Sequence, residues 1–427
     1  MTSALLFGSF GLLLLIGVPV GIALAAASMV AILSLPFLNI EFLVQGMVTG
    51  LDSFPLLAVV LFTLAGNLMS QGGISKRLLH VAGEVFFGHF TGGLGIVAIV
   101  ACMFFASISG TGSATVAAIG LTMIPSMVKK GYDRSFAGAL IASSGGIGVI
   151  IPPSVVMIVY AITAEVSVTK MFMAGIIPGL VVGMVLIGYC LIVSKMRGYT
   201  GNERKATWSE RLAALKEASW AMLLPVIILG GIYSGIFTPT ESAAIGVLYG
   251  LFFGMFVYKE LKPAQVVKII LESSLLVGAV LVIVGASVTF GRILTLERLP
   301  TEIAQFILSI TENKLLILLC INVLLLLVGT FMETLAAIVI LTPILLPITS
   351  ALGMDPVHFG IVMIVNLAIG FVTPPLGANL FMASQVGKVP IESLSKAIMG
   401  WIGAMIVALM LITFIPAISL SLPALLS

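Results

Sequence analysis

Long apolar runs follow one another along most of the chain, and short polar or glycine- and proline-rich stretches separate them. Residues 5–35 and 218–237 reach the roughly 20 residues that a membrane-spanning helix needs, whereas residues 56–69 and 315–328 fall short of a full crossing. Composition agrees, since 60% of the residues are hydrophobic, 9% are charged and the mean hydropathy is +1.26. These values exclude an ordinary soluble domain and predict an all-α integral membrane protein in a lipid bilayer.

The polar interruptions of these runs occur twice in the same order, first within residues 107–154 and again within residues 329–379. The matched residues include Pro125 and Pro347, Asp133 and Asp355, and Pro152 and Pro374. Each pair is 222 positions apart with no gap, for example 374 − 152 = 222. The constant offset predicts an internal duplication.

The first copy begins with two apolar arms around a small polar centre at residues 107–113. One helix covering both arms would be far too long, so we expect a re-entrant helical hairpin whose tip gains backbone freedom from Gly110 and Gly112. Non-helical backbone inside a membrane is tolerated only where protein buries it or where it lines a wet cavity. The tip is therefore expected to line a cavity.

A helix that starts near Ser135 then meets Gly145, Gly148 and the Pro152-Pro153 pair, which predicts a break. A break near the middle of the membrane exposes carbonyl groups at one end and amide groups at the other, which suit a cation and an anion. A single proline kink usually only shapes a helix. Two kinks at a constant offset, each after a hairpin tip, instead point to a transporter's binding site.

The second copy repeats this arrangement with arms at 315–328 and 335–347, a tip at 329–334 and a broken helix at 366–379. In its tip, Glu333 is a cation ligand, a proton carrier or a helix N-terminal acid, and we rank the last first. Thr373 and Asn379 add side-chain oxygens at the break. The membrane segments hold few carboxylates, which favours sodium coupling over a proton relay.

Lysine and arginine concentrate in short loops, above all in residues 195–216, which the positive-inside rule predicts to be a cytoplasmic loop.

Glu241 is either a functional acid or the cap of a helix that begins at Thr238 or Thr240, and we favour the cap. The scattered histidines His80, His89 and His358 support no zinc or haem site. The N-terminal run is expected to be a mature membrane helix.

The cysteines Cys102, Cys190 and Cys320 lie within apolar runs and are expected to be buried structural thiols.

Five motifs carry a resemblance to a known family. They are Ser109-Gly-Thr-Gly-Ser-Ala-Thr-Val-Ala-Ala-Ile-Gly120, Gly148-Val-Ile-Ile-Pro-Pro-Ser154, Phe237-Thr-Pro-Thr-Glu241, Gly329-Thr-Phe-Met-Glu-Thr334 and Gly370-Phe-Val-Thr-Pro-Pro-Leu-Gly377. In this order they resemble the large membrane subunit of tripartite ATP-independent periplasmic (TRAP) transporters, over nearly the whole chain. The chain has no Gly-x-x-x-x-Gly-Lys-Ser/Thr motif of an ATPase, in agreement with this resemblance.

The resemblance implies a secondary transporter of the ion transporter superfamily in the bacterial inner membrane, with inverted repeats and an elevator-type mechanism. It implies no enzymatic activity and no nucleic-acid partner. The expected partners are a small four-helix membrane subunit, for which the chain before the first repeat leaves no room, and a periplasmic substrate-binding protein. The expected cargo is an organic acid such as sialic acid or a C4-dicarboxylate, driven by two or more sodium ions.

The expected organisation has scaffold helices in 1–90, a first transport repeat in 91–165, and a connecting scaffold in 166–312 with a cytoplasmic loop at 197–216. A second transport repeat in 313–386 and a C-terminal helix in 387–427 complete it.

The resemblance also assigns site residues. One sodium site is expected at Ser107, Ser109, Gly110, Gly145, Gly148 and Pro152. Its pseudo-symmetric mate is expected at Gly329, Thr330, Met332, Gly370, Thr373 and Pro374. The acid is expected between the tips at Ser109, Thr111, Ser154, Thr334 and Asn379. Where some relatives carry an acid in the first tip, this chain has Ala114 and Thr115.

Three alternatives stay open at this stage. A channel would need a continuous polar pore, and no span shows a polar stripe. An intramembrane hydrolase built on Ser109 would need a base, and His89 lies on the other arm of the hairpin. A stand-alone sodium/dicarboxylate symporter would keep the fold and need no soluble partner.

Overall fold

The computed structural model describes residues 2–74, 77, 91–200, 207–311 and 313–426. Every regular element in these residues is helical. Parts of the predicted segments 1–90 and 197–216 lie outside the described residues, as do His80 and His89.

Residues 2–71 form four helices. They are α1 (Thr2–Leu15), α2 (Val20–Leu33), α3 (Ile40–Leu51) and α4 (Phe54–Gln71). The N-terminal run, expected to be one membrane helix, is divided into α1 and α2, because Gly17 takes a φ of +85° and Pro19 follows it, so one helix ends and another starts. The amphipathic helix α3 was not predicted from the sequence.

The first copy contains two full helices and two short ones. They are α5 (Gly93–Ser109), α6 (Gly112–Lys129), α7 (Arg134–Gly145) and α8 (Val155–Thr163), with a 3₁₀ turn at Gly146–Val149 after α7. Asp133 caps α7 by accepting a hydrogen bond from the Phe136 backbone N–H at 2.8 Å. The predicted pair of arms and the predicted break are therefore both present in the chain.

The middle of the chain forms longer helices. They are α9 (Val168–Arg197), α10 (Trp208–Tyr233), α11 (Pro239–Phe252), α12 (Pro263–Leu296) and α13 (Leu299–Ile310), with a π-helical turn at Phe253–Val257 after α11. The expected loop at 197–216 is too long, since Thr207 and Glu210 form a capping box that starts α10. Thr238 and Glu241 form a second capping box, which confirms Glu241 as a cap.

The second copy matches the first, element for element. It comprises α14 (Lys314–Phe331), α15 (Thr334–Ala351), α16 (Pro356–Gly370) and α17 (Ala378–Gly387). Two helices follow, α18 (Ile391–Phe414) and α19 (Ala417–Leu426). The expectation of one C-terminal helix is thus wrong, because Pro416 follows the end of α18 and cannot continue its hydrogen bonding.

Seven helices in the described residues are long and apolar enough to cross a membrane. The pieces of the two broken helices are shorter, with α7 at 12 residues and α8 at 9 residues. At 1.5 Å per residue they reach only about 18 Å and about 14 Å, roughly half of the hydrocarbon layer. Each pair therefore has the lengths of two half-helices.

The two copies pack against each other. Helices α6 and α7 both contact α17, and α8 contacts α15. On the other side, α12 lies along α2, α3 and α4, where Gly21 and Gly50 let it approach closely. A Cβ atom on Gly50 would lie 2.7 Å from a Val288 methyl carbon. Helices α4 and α12 thus form a wall against the paired copies.

One histidine and three cysteines also have defined places in the packing. His358 is buried between α16 and the C-terminal helices, with Nδ1 at 2.6 Å from Ser419 Oγ and Nε2 at 3.3 Å from Thr413 O, a structural role. Cys102 and Cys190 are buried as expected, but Cys320 is exposed, because it lies on the outer face of α14.

Backbone contact between Gly329 and Gly370 joins the second hairpin to the second break, and it generates a prediction. A Cβ on Gly370 would clash with the Gly329 backbone, so Gly370→Ala is expected to lower the Tm of the purified protein by about 5 °C. Gly403→Ala in α18 is the matched control, since its Cβ would meet nothing within 4 Å. Equal Tm values for both variants in scanning fluorimetry would contradict the contact.

Candidate functional site

The first hairpin turns over three residues. Helix α5 ends at Ser109, Gly110 takes a φ of +63°, and Thr111 is extended before α6 starts. The Ser109 hydroxyl donates to Thr111 O at 3.3 Å and lies 3.0 Å from Thr115 Oγ1, which itself donates to Thr111 O at 2.8 Å. The tip is therefore a small cluster of hydroxyl and carbonyl oxygens.

The first break packs directly onto this tip. A Cβ on Gly110 would lie 2.7 Å from Pro153 O, and one on Gly148 would lie 2.6 Å from Thr111 O. Ser154 is buried, donates to Val149 O at 2.8 Å and accepts from the Met157 N–H, so it caps α8. Only residues without a side chain permit this backbone contact.

The second tip differs in having an acid. Glu333 Oε2 accepts from the backbone N–H groups of Leu335 at 2.9 Å and Ala336 at 3.2 Å. This geometry confirms Glu333 as the acid at the N-terminus of α15. The Thr330 hydroxyl donates to Leu327 O within its own helix at 2.7 Å, and Met332 is extended at the end of α14.

The second break has seven residues between its helices, against nine in the first. After Gly370 the chain turns through residues 371–377 before α17 begins. The Thr373 hydroxyl donates to Ile369 O at 2.7 Å, and the Asn379 N–H donates to Phe371 O at 3.0 Å. Gly329 lies against Gly370, so this tip also packs on its break.

Asn379 connects the two copies. Its amide lies beside Gly112 at the first tip, where an added Cβ would be 3.0 Å from Asn379 Nδ2 and 3.2 Å from Gly145 O. Both amide atoms of Asn379 are buried without a hydrogen-bond partner, and so are the hydroxyls of Ser144 and Thr334. Buried polar atoms normally have partners, so these atoms are suited to contact water, an ion or a ligand.

A cavity of about 390 Å³ lies where both tips meet the wall of α4 and α12. Ser109, Thr111 and Ser113 line it from the first tip, and Glu333 and Leu335 line it from the second. We call this the tip cavity. Its size lies within the usual range for a small-molecule site.

The structure brings some predicted site residues together and separates others. Ser109 and Thr111 line the tip cavity, whereas Ser154, Thr334 and Asn379 are buried outside its lining. Ser107 is near the first tip, but its hydroxyl donates to Phe104 O of its own helix at 2.7 Å. Pro152 belongs to the first break and Pro374 to the second.

Apart from the Glu333 carboxyl group at the second tip, the oxygens described here belong to hydroxyl, amide and backbone carbonyl groups. Among the described residues, no group of three His, Cys, Asp or Glu side chains could hold a metal ion. Hydroxyl and carbonyl oxygens are ligands of hard cations, so the donors present suit an alkali cation better than a transition metal.

Sequence reasoning missed several polar residues here. Thr115 bonds Ser109, and its position four residues after Thr111 in a helix was a usable signal. Thr63 and Asn67 of α4 also line the tip cavity, and the Asn67 amide donates to Ser273 Oγ at 2.8 Å. Thr63 and Asn67 line the cavity because α4 faces the tips, and this packing cannot be predicted from the sequence.

The chain is similar to known transport proteins. Residues 7–418 match the family model described as the tripartite ATP-independent periplasmic transporter, DctM component. The chain is 49% identical, over 97% of its length, to the isethionate TRAP transporter permease protein DctMQ of Oleidesulfovibrio alaskensis, and it spans 65% of that protein.

Two further relatives match at more equal length. The C4-dicarboxylate TRAP transporter large permease protein DctM of Pseudomonas aeruginosa is 42% identical, with 87% of each chain covered. The sialic acid TRAP transporter large permease protein SiaM of Vibrio cholerae is 40% identical, with 98% of each covered. The solved YdaH transporter of Alcanivorax borkumensis aligns with a TM-score of 0.66 over 88% of each chain at 15% identity, which supports a shared fold.

The cap formed by Glu333 generates a prediction. Glu333→Gln keeps an oxygen that accepts from the start of α15, so uptake of the transported acid is expected to stay within about twofold of the native rate. Glu333→Ala removes the acceptor and is expected to destabilise the protein by about 1 kcal/mol. Complete loss of uptake in a stably folded Gln variant would identify Glu333 as a proton carrier instead.

Proposed function

The chain belongs to the DctM component family of tripartite ATP-independent periplasmic transporters, and we propose that it imports an organic acid across the bacterial inner membrane. Import is coupled to sodium and depends on a periplasmic substrate-binding protein. The chain works as the large permease subunit beside a small four-helix subunit. Relatives named for isethionate, C4-dicarboxylates and sialic acid all carry an acidic cargo, so we propose a small organic anion as the substrate, with sialic acid or a C4-dicarboxylate as candidates.

One observation carries the proposal: both hairpin tips and both helix breaks converge around one cavity, whose lining includes hydroxyl groups of the first tip and the Glu333 carboxyl group of the second. Each tip–break junction provides hydroxyl and carbonyl groups for one sodium ion. The first junction would use Ser109 with the backbone near Gly145 and Gly148, and the second would use Thr330 with the backbone near Gly370. The acid would occupy the tip cavity between Ser109, Thr111 and the start of α15.

An elevator movement follows from the same proposal. The two hairpins and two broken helices would move as one body, related as inverted repeats, along the wall formed by α4 and α12. The tips would remain re-entrant throughout, since the breaks pack against them and cover their backbone. Apolar side chains such as Leu276 and Val280 on this wall offer little resistance to sliding.

The experiment is reconstitution of the chain with its small subunit in liposomes, with and without the binding protein encoded beside it. Uptake is expected only when the binding protein and an inward sodium gradient are both present. Uptake that needs sodium but no soluble protein would favour a stand-alone sodium/dicarboxylate symporter. Equal uptake in potassium would contradict sodium coupling.

Substitution of Ser109 tests the first junction. Ser109→Leu removes a hydroxyl and places a bulky side chain against the break, so sodium-dependent uptake is expected to fall at least about tenfold in a folded protein. Ser126→Leu is the matched control, because the Ser126 hydroxyl only donates to Thr122 O at 2.8 Å on the same helix. Native uptake by the Ser109 variant would remove this residue from the site.

A further inference from the structure

A second cavity, of about 640 Å³, lies beyond the tip cavity along the same helices. Three helices contribute to both cavities. The tip cavity is lined by Val156 of α8, Val280 of α12 and Leu335 of α15. The second cavity is lined by Thr163, Arg292 and Pro343 of the same three helices. On each helix, the residue that lines the second cavity is nearer the C-terminus, by about 10 to 18 Å of helix. The two cavities therefore lie in series along one direction.

The second cavity opens on the side of the protein opposite the basic loops. Glu165, which lines it, follows the end of α8 and precedes α9. Helix α9 then runs for 30 residues, about 45 Å, to its basic end at Lys195 and Arg197. Because basic loops face the cytoplasm, the second cavity faces the external side.

Arg292 gives this cavity a cationic wall. Its guanidinium donates from Nη2 to Thr49 Oγ1 of α3 at 3.0 Å, which holds one edge of the group. In the described part of the chain it makes no ion pair, so its other N–H groups remain available to the cavity. Arg292 is exposed and lies four residues before the end of α12, where a long basic side chain can keep its charged group in water. Its planar donors fit a carboxylate or sulfonate through two hydrogen bonds.

One acid opposes this charge. Glu165 lines the same cavity from the end of α8 and is exposed, whereas the remaining polar lining groups are hydroxyls such as Thr163, Ser287 and Thr295. An anion in this cavity is thus attracted by the guanidinium group of Arg292 and repelled by the carboxylate of Glu165. Such a balance lets a ligand enter and leave, as transport requires.

We propose that Arg292 forms an outer anion site, which receives the carboxylate or sulfonate of the cargo before the hairpin tips do. The inference rests on the proposed import function and adds to it a residue on the wall of α12, outside both repeats. Glu165 keeps the affinity of this outer site low, so that the anion passes on to the tip cavity.

The test is charge-selective labelling of a cysteine placed beside Arg292. Thr295→Cys lies one turn away on the cavity wall, in a chain whose exposed Cys320 is replaced by serine and whose other two cysteines are buried. The protein complex is labelled in right-side-out vesicles with impermeant methanethiosulfonates, one anionic and one cationic. The ratio of anionic to cationic labelling rates is expected to fall about fivefold with Arg292→Gln. Glu165→Gln is expected to raise this ratio.

Arg298→Gln is the matched control, since it removes the same charge at the same three-residue spacing from the label but outside the cavity lining, and it should change the ratio much less than Arg292→Gln does. An unchanged ratio in the Arg292 variant, or no labelling from the external side, would overturn the outer site. Because labelling does not require transport, the result tests the outer anion site even if the proposed coupling of import to sodium is wrong. In uptake assays, Arg292→Gln is expected to raise the KM for the acid several-fold while Arg298→Gln leaves it unchanged.

Discussion

Backbone groups released by a broken helix must find polar partners inside the protein, because lipid offers none. Here each break meets a hairpin tip, and the contact is made by main chain against main chain at Gly110 with Pro153 and at Gly329 with Gly370. Because the two backbones touch, glycine is required at these contacts, and the oxygens beside them can bind a ligand. The location of the cavity, the buried amide of Asn379 and the half-length helices all follow from this contact.

The long helix α12 gives the second constraint. It has no break, packs on α2, α3 and α4 through small residues, and lines both cavities along its length. Helix α12 is thus a continuous wall, whereas the polar groups of the two tip–break junctions lie on the hairpins and the interrupted helices beside it. In the proposed outer site, the one arginine among the residues that line this cavity would act on the charge of the cargo, although it lies outside both repeats.

The sequence predicted the duplicated elements well, because a constant offset of 222 residues preserves prolines and glycines whose backbone effects are local. It failed where helix ends depend on other signals, as for α3 and for the capping box at Thr207. It also identified polar residue types without their hydrogen bonds: the Thr330 hydroxyl donates to Leu327 O and the Thr373 hydroxyl donates to Ile369 O. The approach of Asn379 to Gly112 depends on tertiary packing.

A density map of the complete transporter, obtained once in sodium and once in potassium, tests the central claim most directly. The account predicts an ion at each tip–break junction in sodium, within reach of the oxygens around Ser109 and around Thr330, and its loss in potassium. Junctions closed by protein atoms alone in both salts, or tips lying against lipid, would contradict it.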